Sequence, residues 1–508
     1  MTPYTEKLQN CYCVPLRYTI FVLFIILISY FHIYFKRKQF QNITSKIPTI
    51  FGLPFIGIAY KLVPIKRFLY KLSACFEELS TSTYCAWLGT DPVIITIDPE
   101  IIKTIATSSE FYNKAEIIYN PLNNAIRDGI ITSEVHKWKH IRKIVNGFFS
   151  HKMLMSLIPL FNHGANNGVH RLSKISNHGQ HKIFDLIKRV ILEISIEATM
   201  GVDMRKDAAE NYELMESFSF LLERVAKDSA CSTMGLGFLA RTPSYYRSIS
   251  FLRNFINKLI DQRTNNNTKS KDETCVYDED FGKSFLDIAL NYYGNGQLAK
   301  EDVIIESISL IGASFETVAT AIYSSIVMLA MHTDVQERLY QEIHKLLPQN
   351  DIPVAYDHLK EIPYLDMVVS ETLRLIPPIP LIGRQTIHTT KLTSELILPP
   401  KMPVLVPIFS LHRSKELWGS KAHLFNPDNF LPENVALRDP YIYMPFSKGA
   451  RNCVGWRYAE IAVRIILMVF VRNFKFSTTF KYEDLRFLDH VSLWYDVEPK
   501  LNIELRKV

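Results

Sequence analysis

The sequence has no CxxC pair and no cysteine spacing that would indicate a disulfide framework. Its seven cysteines are scattered over 508 residues, so a zinc site and a secreted disulfide scaffold are both disfavoured. We expect a reducing compartment, in which most of these thiols act as small side chains of the core or of loops. Cys453 differs from the others in its local sequence, as described below.

The sequence also has no dense block of Lys and Arg interleaved with aromatic residues. Its formal net charge of +7 is modest for the length, so nothing indicates a nucleic-acid groove. A basic face for an acidic protein or for lipid headgroups stays open. No repeat of solenoid length is present. Hydrophobic residues make up 47% of the chain, which is enough for a large core and excludes disorder throughout.

The longest uncharged stretch is residues 18–35, near the N-terminus. As a helix it would be roughly 27 Å long, close to the ~30 Å hydrocarbon layer of a bilayer. Bulky aromatic residues lead directly into Lys36-Arg37-Lys38 without the small residues of a cleavage site, which favours a retained anchor. The basic run predicts that the chain after the anchor faces the cytoplasm. A buried core helix is the alternative.

The remaining sequence predicts a mainly helical body with small β-sheets. We divide the chain into an anchor (1–36), a basic tether rich in Pro and Gly (37–57) and one large domain (58–508). Apolar periodicity predicts helices over 152–172, 184–200, 211–227 and 301–347. Short strands are predicted at 93–97, 396–398 and 404–408. Residues 262–280 have little to bury and predict a surface loop inside the domain.

Cys453 stands just before a helical pattern over 457–471. The positive end of a helix dipole favours a thiolate, which suits this cysteine to bind a metal or to act as a nucleophile. Gly449 and Gly455 let the backbone approach a flat ligand, and Arg451 can neutralise a carboxylate. No paired base or oxyanion donor is evident nearby, so a metal ligand is favoured over a nucleophile.

The segment Phe446-x-x-Gly449-x-Arg451-x-Cys453-x-Gly455 resembles the haem-binding signature of the cytochrome P450 family. The resemblance covers essentially the whole chain. It implies the cytochrome P450 fold, a single large catalytic domain, and Cys453 as the thiolate ligand of a haem iron. Phe446 would shield the sulfur from water. A thiolate ligand favours cleavage of the O–O bond, which implies a monooxygenase.

Glu371 and Arg374 lie on one face of a predicted helix. Alone, such a pair is usually a surface ion pair of little effect. With the downstream run Phe425-x-Pro427-Asp428-x-Phe430, it resembles the family's ExxR helix and meander, which implies a buried network. Asn429 stands where the family often has arginine, so the third ionic partner is in doubt, although its amide could still hydrogen-bond Arg374.

Trp138 and Arg142 place an indole N–H and a guanidinium on one face of a helix. The edge of an amphipathic helix is the plainer interpretation. By resemblance, this is the family's WxxxR pair, which holds the haem propionates, and Arg384 and Arg451 match two further propionate-binding arginines. Four donors for two carboxylates would orient the porphyrin and offset the burial of its charge.

Glu316 and Thr317 place an acid beside an alcohol in the predicted helix over 301–347. An exposed Glu next to a helical Thr is the plainer interpretation. By resemblance, the pair is the oxygen-activation motif, in which Glu316 relays protons through water and Thr317 serves as a general acid. Ser314 and Val318 depart from the usual pattern, which indicates a narrower groove but leaves the acid–alcohol pair intact.

Residues 426–433 and 455–459 resemble the microsomal clan that contains the fatty-acid ω-hydroxylases. That clan often carries a glutamate esterified to the haem, and Ala313 occupies the corresponding place. We therefore expect haem without this covalent link, and the case for a fatty-acid substrate is weaker.

Together with the anchor, the resemblance implies an enzyme of the endoplasmic reticulum membrane that faces the cytoplasm and inserts one oxygen atom of O2 into a lipophilic small molecule. Electrons would come from NADPH through a flavoprotein reductase. The surface of this chain that docks the reductase would be basic and would include Lys139, Lys143, Lys448 and Arg457. Substrate would contact the loop before Trp138, the helix around Ala313 and residues 379–382. An oxygen-independent haem-thiolate isomerase or dehydratase, or a non-catalytic haem-binding protein, are the alternatives.

Overall fold

The structure is a computed structural model that describes residues 4–62, 67–204, 208–269 and 283–506. Helices dominate it, as predicted. The helices, α1 to α20 in chain order, are Tyr4–Gln39, Gln41–Thr44, Ala59–Leu62, Phe68–Leu79, Pro99–Thr107, Glu116–Ile126, Val135–Phe148, His151–Ser156, Ile158–Ser173, Phe184–Met200, Ala208–Ser232, Pro243–Lys269, Phe285–Gly294, Lys300–Met331, Thr333–Leu346, Pro363–Leu375, Ile408–Leu411, Lys415–Trp418, Pro432–Ala436 and Trp456–Asn473.

The strands are short and lie mostly in the first and last parts of the domain. The strands, β1 to β13 in chain order, are Thr49–Ile50, Thr83–Leu88, Asp91–Thr96, Asn113–Lys114, Gln180–His181, Ile382–Gln385, Thr390–Lys391, Ile397–Leu398, Pro403–Val406, Phe474–Ser477, Phe487–Asp489, Leu493–Tyr495 and Leu501–Leu505.

The centre of the helical body is α14, whose side chains are buried on all sides along most of its length. Such a helix must be surrounded by protein, and α14 packs against α10, α12, α13, α16 and α20. Its side chains from Ile322 to Ala330 are all buried. This packing holds α14, and with it Thr317, in a fixed position.

The largest sheet has the strand order β1-β2-β3-β9-β6-β4. β4 pairs antiparallel with β6, and this register places Lys114 opposite Arg384. β11 and β12 form a separate antiparallel pair. The β4–β6 pairing matters for the site because it brings two cations together from distant parts of the sequence. The β11–β12 hairpin places Ser492 at the same cavity that Lys114 lines.

The N-terminal helix α1 carries the predicted anchor. Its segment Tyr18–Gln39 has a mean hydropathy of 2.0 and is 6% buried, so its apolar side chains face outward. By length and composition it can cross a bilayer. Lys300–Met331 is also long and apolar enough, but 78% of its most apolar window is buried. That burial identifies Lys300–Met331 as a core helix of the body.

Several predicted boundaries need correction. The helix predicted over 184–200 is α10. The pattern over 152–172 is divided at Leu157 into α8 and α9, where a proline starts the second helix. The pattern over 301–347 is divided at His332, whose φ of −120° and ψ of 74° are not helical. Apolar periodicity continues across both breaks, so the pattern alone could not locate them.

The predicted surface loop over 262–280 is wrong in its first part, because α12 continues to Lys269. Arg263 explains the extra turns. It donates to Asp287 Oδ1 at 2.9 Å and to the carbonyl oxygens of Met200 and Gly201 at 3.1 and 3.0 Å. Residues 270–280 lie outside the described part of the chain. The predicted tether also contributes a strand, since β1 pairs with β2.

Candidate active site

A cavity of about 510 Å³ lies inside the domain, and most of the side chains around it are apolar. The three segments predicted to contact substrate all reach it. Ile130 and Ile131 come from the loop before Trp138, Ala313 comes from α14, and residues 379–382 form another part of the wall. Cys453 borders the same cavity.

The cysteine loop is shaped by tight backbone contacts. The Cys453 N–H donates to the Phe446 carbonyl at 2.9 Å. Gly449 has a φ of +76°, and a Cβ there would collide with the carbonyl oxygen of Ala106, so this position requires glycine. The Cys453 side chain is exposed, and its exposure is to the cavity that it lines. The predicted signature therefore presents its sulfur to an internal space.

Burial raises the pKa of the Cys453 thiol, although a backbone hydrogen bond from Gly455 and the nearby Arg142 and Lys114 act in the opposite direction. Desolvation of the thiolate therefore opposes the expected effect of the helix start. A bound metal ion reverses that balance, since a coordinating thiol is deprotonated outright. The site thus suits a metal ligand better than a free nucleophile.

Three cations line the cavity, Lys114, Arg142 and Arg451, and a fourth, the buried Arg384, lies close to Lys114 and Arg451. Arg451 donates to the carbonyl oxygens of Tyr112 at 2.8 Å and Ser133 at 2.6 Å, and its guanidinium lies 4.5 Å from the centre of the Trp138 ring. Its Nη1 is buried without a partner. Burial, followed by repulsion from Arg384, lowers the pKa of Arg451 to about 9.

This charge cluster provides a test of whether haem fits. Among the described residues, no ion pair joins Lys114, Arg142, Arg384 or Arg451 to a carboxylate. Buried like charges without a counter-charge are unfavourable, so the cluster is suited to an anionic ligand. A porphyrin with two carboxylates would offset part of this charge, and the thiol of Cys453 faces the same cavity. The residues present therefore fit a haem.

Two of the predicted propionate donors also hold the cysteine loop. Arg142 donates to Asn452 O at 2.7 Å and to Asn452 Oδ1 at 2.8 Å. Arg384 donates to Arg451 O at 3.3 Å. These bonds fix the residues just before Cys453. The role of both arginines toward propionates stays a prediction.

Lys114 was missed by the sequence analysis. It reaches the cluster because β4 pairs with β6, and burial followed by repulsion from Arg384 and Arg451 lowers its pKa. Neither the residues around Lys114 nor their periodicity indicate this role. Only the pairing of two short strands far apart in the sequence shows it.

The structure separates the acid and alcohol side chains of α14. Thr317 borders the cavity and donates to the Ala313 carbonyl at 2.7 Å. The Glu316 carboxylate is 2% exposed and accepts from Trp494 Nε1 at 2.7 Å and Ser492 Oγ at 3.0 Å. An exposed surface Glu is therefore excluded. Burial raises the pKa of Glu316, while Lys188 opposes that rise.

The predicted buried network around Glu371 and Arg374 is present. Both side chains are fully buried, with Arg374 Nε 2.7 Å from Glu371 Oε2. Arg374 also donates to the carbonyl oxygens of His412, Ala422 and Leu424 at 2.8, 2.6 and 3.0 Å. Arg374 therefore ties α16 to the meander before the cysteine loop.

The expected bond from Asn429 to Arg374 is wrong, because the Asn429 amide donates to Glu371 Oε1 at 3.1 Å. A carboxylate with free lone pairs is the better acceptor, since arginine offers only donors. A cation missed by the sequence analysis, Arg438, lies beside this network. It donates to Asn429 O at 2.7 Å and lies 4.1 Å from the centre of the Trp418 ring.

Comparison with known proteins gives the same picture. A family model described as "Cytochrome P450" matches residues 48–493. The protein named "Probable cytochrome P450 313a3" of Drosophila melanogaster is 34% identical over 94% of this chain and 97% of its own length. "Probable cytochrome P450 313a4" of the same organism is 31% identical over 93% and 97%. "Cytochrome P450 4c21" of Blattella germanica is 27% identical over 89% and 92%.

Proposed function

The chain belongs to the cytochrome P450 family of haem-thiolate monooxygenases, and from that premise we propose that it inserts one oxygen atom of O2 into a lipophilic small molecule. Electrons come from NADPH through a membrane-bound flavoprotein reductase. The chain acts at the endoplasmic reticulum membrane with its catalytic domain in the cytoplasm. The observation that carries the proposal is one cavity lined both by Cys453 and by three cations, Lys114, Arg142 and Arg451.

Haem, when bound, supplies the one-electron and O2 chemistry, and a thiolate ligand favours O–O cleavage. The chain's own residues would bind and orient the haem. Cys453 would ligate the iron, while Lys114, Trp138, Arg142, Arg384 and Arg451 would hold the two carboxylates. Phe446 would shield the sulfur from water. Arg142 also keeps the loop in place through Asn452.

Proton delivery is assigned to α14. Thr317 holds a hydroxyl at the cavity wall. The buried Glu316 carboxylate keeps a proton more readily than an exposed one, because desolvation raises its pKa. Glu316, Ser492 and Thr317 all border the cavity. A proton can therefore pass through water in the cavity from the Glu316 carboxyl group to the Thr317 hydroxyl.

The substrate is lipophilic because the walls away from the cations are apolar. Its apolar lining includes Ile118, Phe218, Leu222, Ile379 and Leu381. Side chains of this kind offer area for an apolar molecule and no charged partner. The outward-facing apolar helix Tyr18–Gln39 would keep the chain at the membrane in which such substrates dissolve.

The reduced protein should give the carbon-monoxide difference spectrum of a thiolate-ligated haem. Cys453→Ser should abolish that spectrum, because a serine oxygen is a poor replacement for the sulfur. Cys231→Ser is the matched control, since Cys231 lies on α11 away from the cysteine loop. Purified protein without haem, or an unchanged spectrum after Cys453→Ser, would contradict the proposal.

A further inference from the structure

The loop between α6 and α7, residues 127–133, forms part of the cavity wall and is called the wall loop below. Ile130 and Ile131 of this loop line the cavity. Arg127 has a φ of +61° and a ψ of −170°, a conformation that side chains other than glycine rarely adopt. Such strain persists only where surrounding contacts hold the backbone in place.

The main contact is made by Glu306 of α14. Both of its carboxylate oxygens accept the Ile130 N–H, at 3.0 and 3.1 Å. Glu306 is only 1% exposed. Its role is not shared with the site described above, because it is not among the residues that line the cavity. It holds the backbone of a residue that does line it.

Gly129 makes this contact possible. A Cβ at Gly129 would lie 2.7 Å from Ile305 Cγ2 and 3.1 Å from Glu306 Oε1. A side chain would therefore push the wall loop away from α14. Glycine at position 129 thus lets the wall loop come close enough to α14 for the Glu306 contact.

Four charged pairs surround the contact on the solvent side. Lys137 lies 3.0 Å from Asp302 and 3.7 Å from Asp128. Glu301 lies 3.6 Å from Arg127 and 2.6 Å from Arg253. All of these side chains are partly exposed, so each pair contributes little. Glu306 is thus the buried polar contact between the wall loop and α14, while Arg451 holds the other end of the loop through the Ser133 carbonyl at 2.6 Å.

We propose that Glu306 is a positioning residue that fastens the wall loop to α14 and thereby sets the width of the cavity at Ile130 and Ile131. With this contact intact, the cavity discriminates against bulky ligands. The discrimination rests on the proposed function, because its readout uses bound haem. The claim that Glu306 fastens the wall loop does not rest on the proposed function.

Amide hydrogen exchange of the full-length protein tests the fastening. Glu306→Leu removes both acceptors, and we expect exchange in residues 127–133 to accelerate at least tenfold while α20 is unchanged. Glu306→Gln keeps one acceptor and should stay within threefold of the original rate. Glu433→Leu, an exposed change on α19, should have no effect. Unchanged exchange in Glu306→Leu would overturn the proposal.

Gly129→Ala provides a second route that leaves the carboxylate in place. The added Cβ should displace the wall loop and accelerate exchange in the same residues at least fivefold. If Glu306→Leu does not fold, this variant decides the question alone. Exchange as slow as in the original chain would then overturn the proposal.

Azole binding tests the discrimination. Imidazole and the bulky azole clotrimazole are titrated into the haem-loaded protein, and the dissociation constants follow from the absorbance change. In Glu306→Leu, the ratio of the clotrimazole to the imidazole constant should fall at least fivefold, and Glu306→Gln should restore it. An unchanged ratio would refute the claim about cavity width. Absence of haem from the original chain would instead refute the proposed function, while the exchange test remains decisive for the loop.

Discussion

Thr317 is the residue on which the proposed oxygen chemistry depends most directly after Cys453. Its hydroxyl lies at the cavity wall and is oriented by the Ala313 carbonyl at 2.7 Å. Thr317→Ala removes a proton donor without opening the helix, since alanine is a good helix former. We expect product formation to fall roughly tenfold or more, because a positioned general acid contributes at least about that much, while NADPH consumption continues.

The measurement for Thr317→Ala is the ratio of product formed to NADPH consumed. Thr317→Ser is the matched control, because it restores a hydroxyl, and it should recover most of the coupling. If the rate of product formation were the same in Thr317→Ala and the original chain, an oxygen-independent isomerase or dehydratase would be the better assignment.

Residues in a compact motif could be predicted from the sequence, and residues joined by the fold could not. Cys453, Gly449 and Arg451 lie within a few positions of each other, so their spacing carries the chemistry. Lys114 meets Arg384 only because two strands pair. Arg438 reaches the network of Glu371 through the backbone of Asn429. Contacts of this kind depend on tertiary structure, which residue spacing does not encode locally.

At the scale of elements, Asp489 joins the β11–β12 hairpin to the start of α4. Its Oδ2 accepts the Leu69 N–H at 3.0 Å, which satisfies one of the free donors of the first turn of α4. Arg67, the residue before α4, makes no capping bond of its own. Asp489 is thus a helix cap supplied from the far end of the chain.

The pH dependence of stability should report the burial of the Asp489 carboxyl group. Burial raises the pKa of Asp489 from 3.8 to about 7, although the hydrogen bond from the Leu69 N–H acts in the opposite direction. The unfolded chain therefore loses its proton first, and the stability present below pH about 4 declines as the pH rises to about 7. Asp489→Asn keeps an acceptor for Leu69 but removes the charge. We compare the free energy of unfolding of Asp489→Asn with that of the original chain. The variant should gain about 1–3 kcal/mol relative to the original chain as the pH rises from 5 to 8.

Thermal unfolding midpoints at pH 5 and pH 8 measure this difference. Asp484→Asn, an exposed carboxylate near the same hairpin, should show no pH-dependent gain. A pH-independent difference between Asp489→Asn and the original chain would show that the carboxyl group of Asp489 does not titrate over this interval in the folded state.

An apolar pattern predicted the bounds of a helix correctly where a stop signal stands at the end of the pattern. α10 begins and ends where its pattern does, because Gly201, with a φ of +68°, stops it. The end of α12 was misjudged, because Arg263 ties its polar last turns to Asp287 and to the end of α10. Local composition cannot reveal a stabilising partner that lies elsewhere in the fold.

At the scale of the molecule, the surface next to the cysteine loop is basic. Lys139 and Lys143 are exposed on α7, the helix that also carries Arg142, and Arg457 is exposed in the first turn of α20. Both helices adjoin the cysteine loop, since Arg142 bonds Asn452 and α20 begins at Trp456. Lys448 of the predicted patch is partly buried, and burial lowers its pKa, so its contribution to the surface is smaller.

An acidic reductase would be steered to this basic surface, and the steering should weaken with salt. Lys143→Glu combined with Arg457→Glu should raise the KM for the reductase roughly tenfold at low ionic strength, as two reversed charges oppose the encounter. Substrate affinity should change less than twofold, because neither side chain lines the cavity. The matched control reverses Lys174 and Lys182, two exposed lysines outside α7 and α20, and should leave the KM unchanged. Equal reductase kinetics in both double variants would place the docking surface elsewhere.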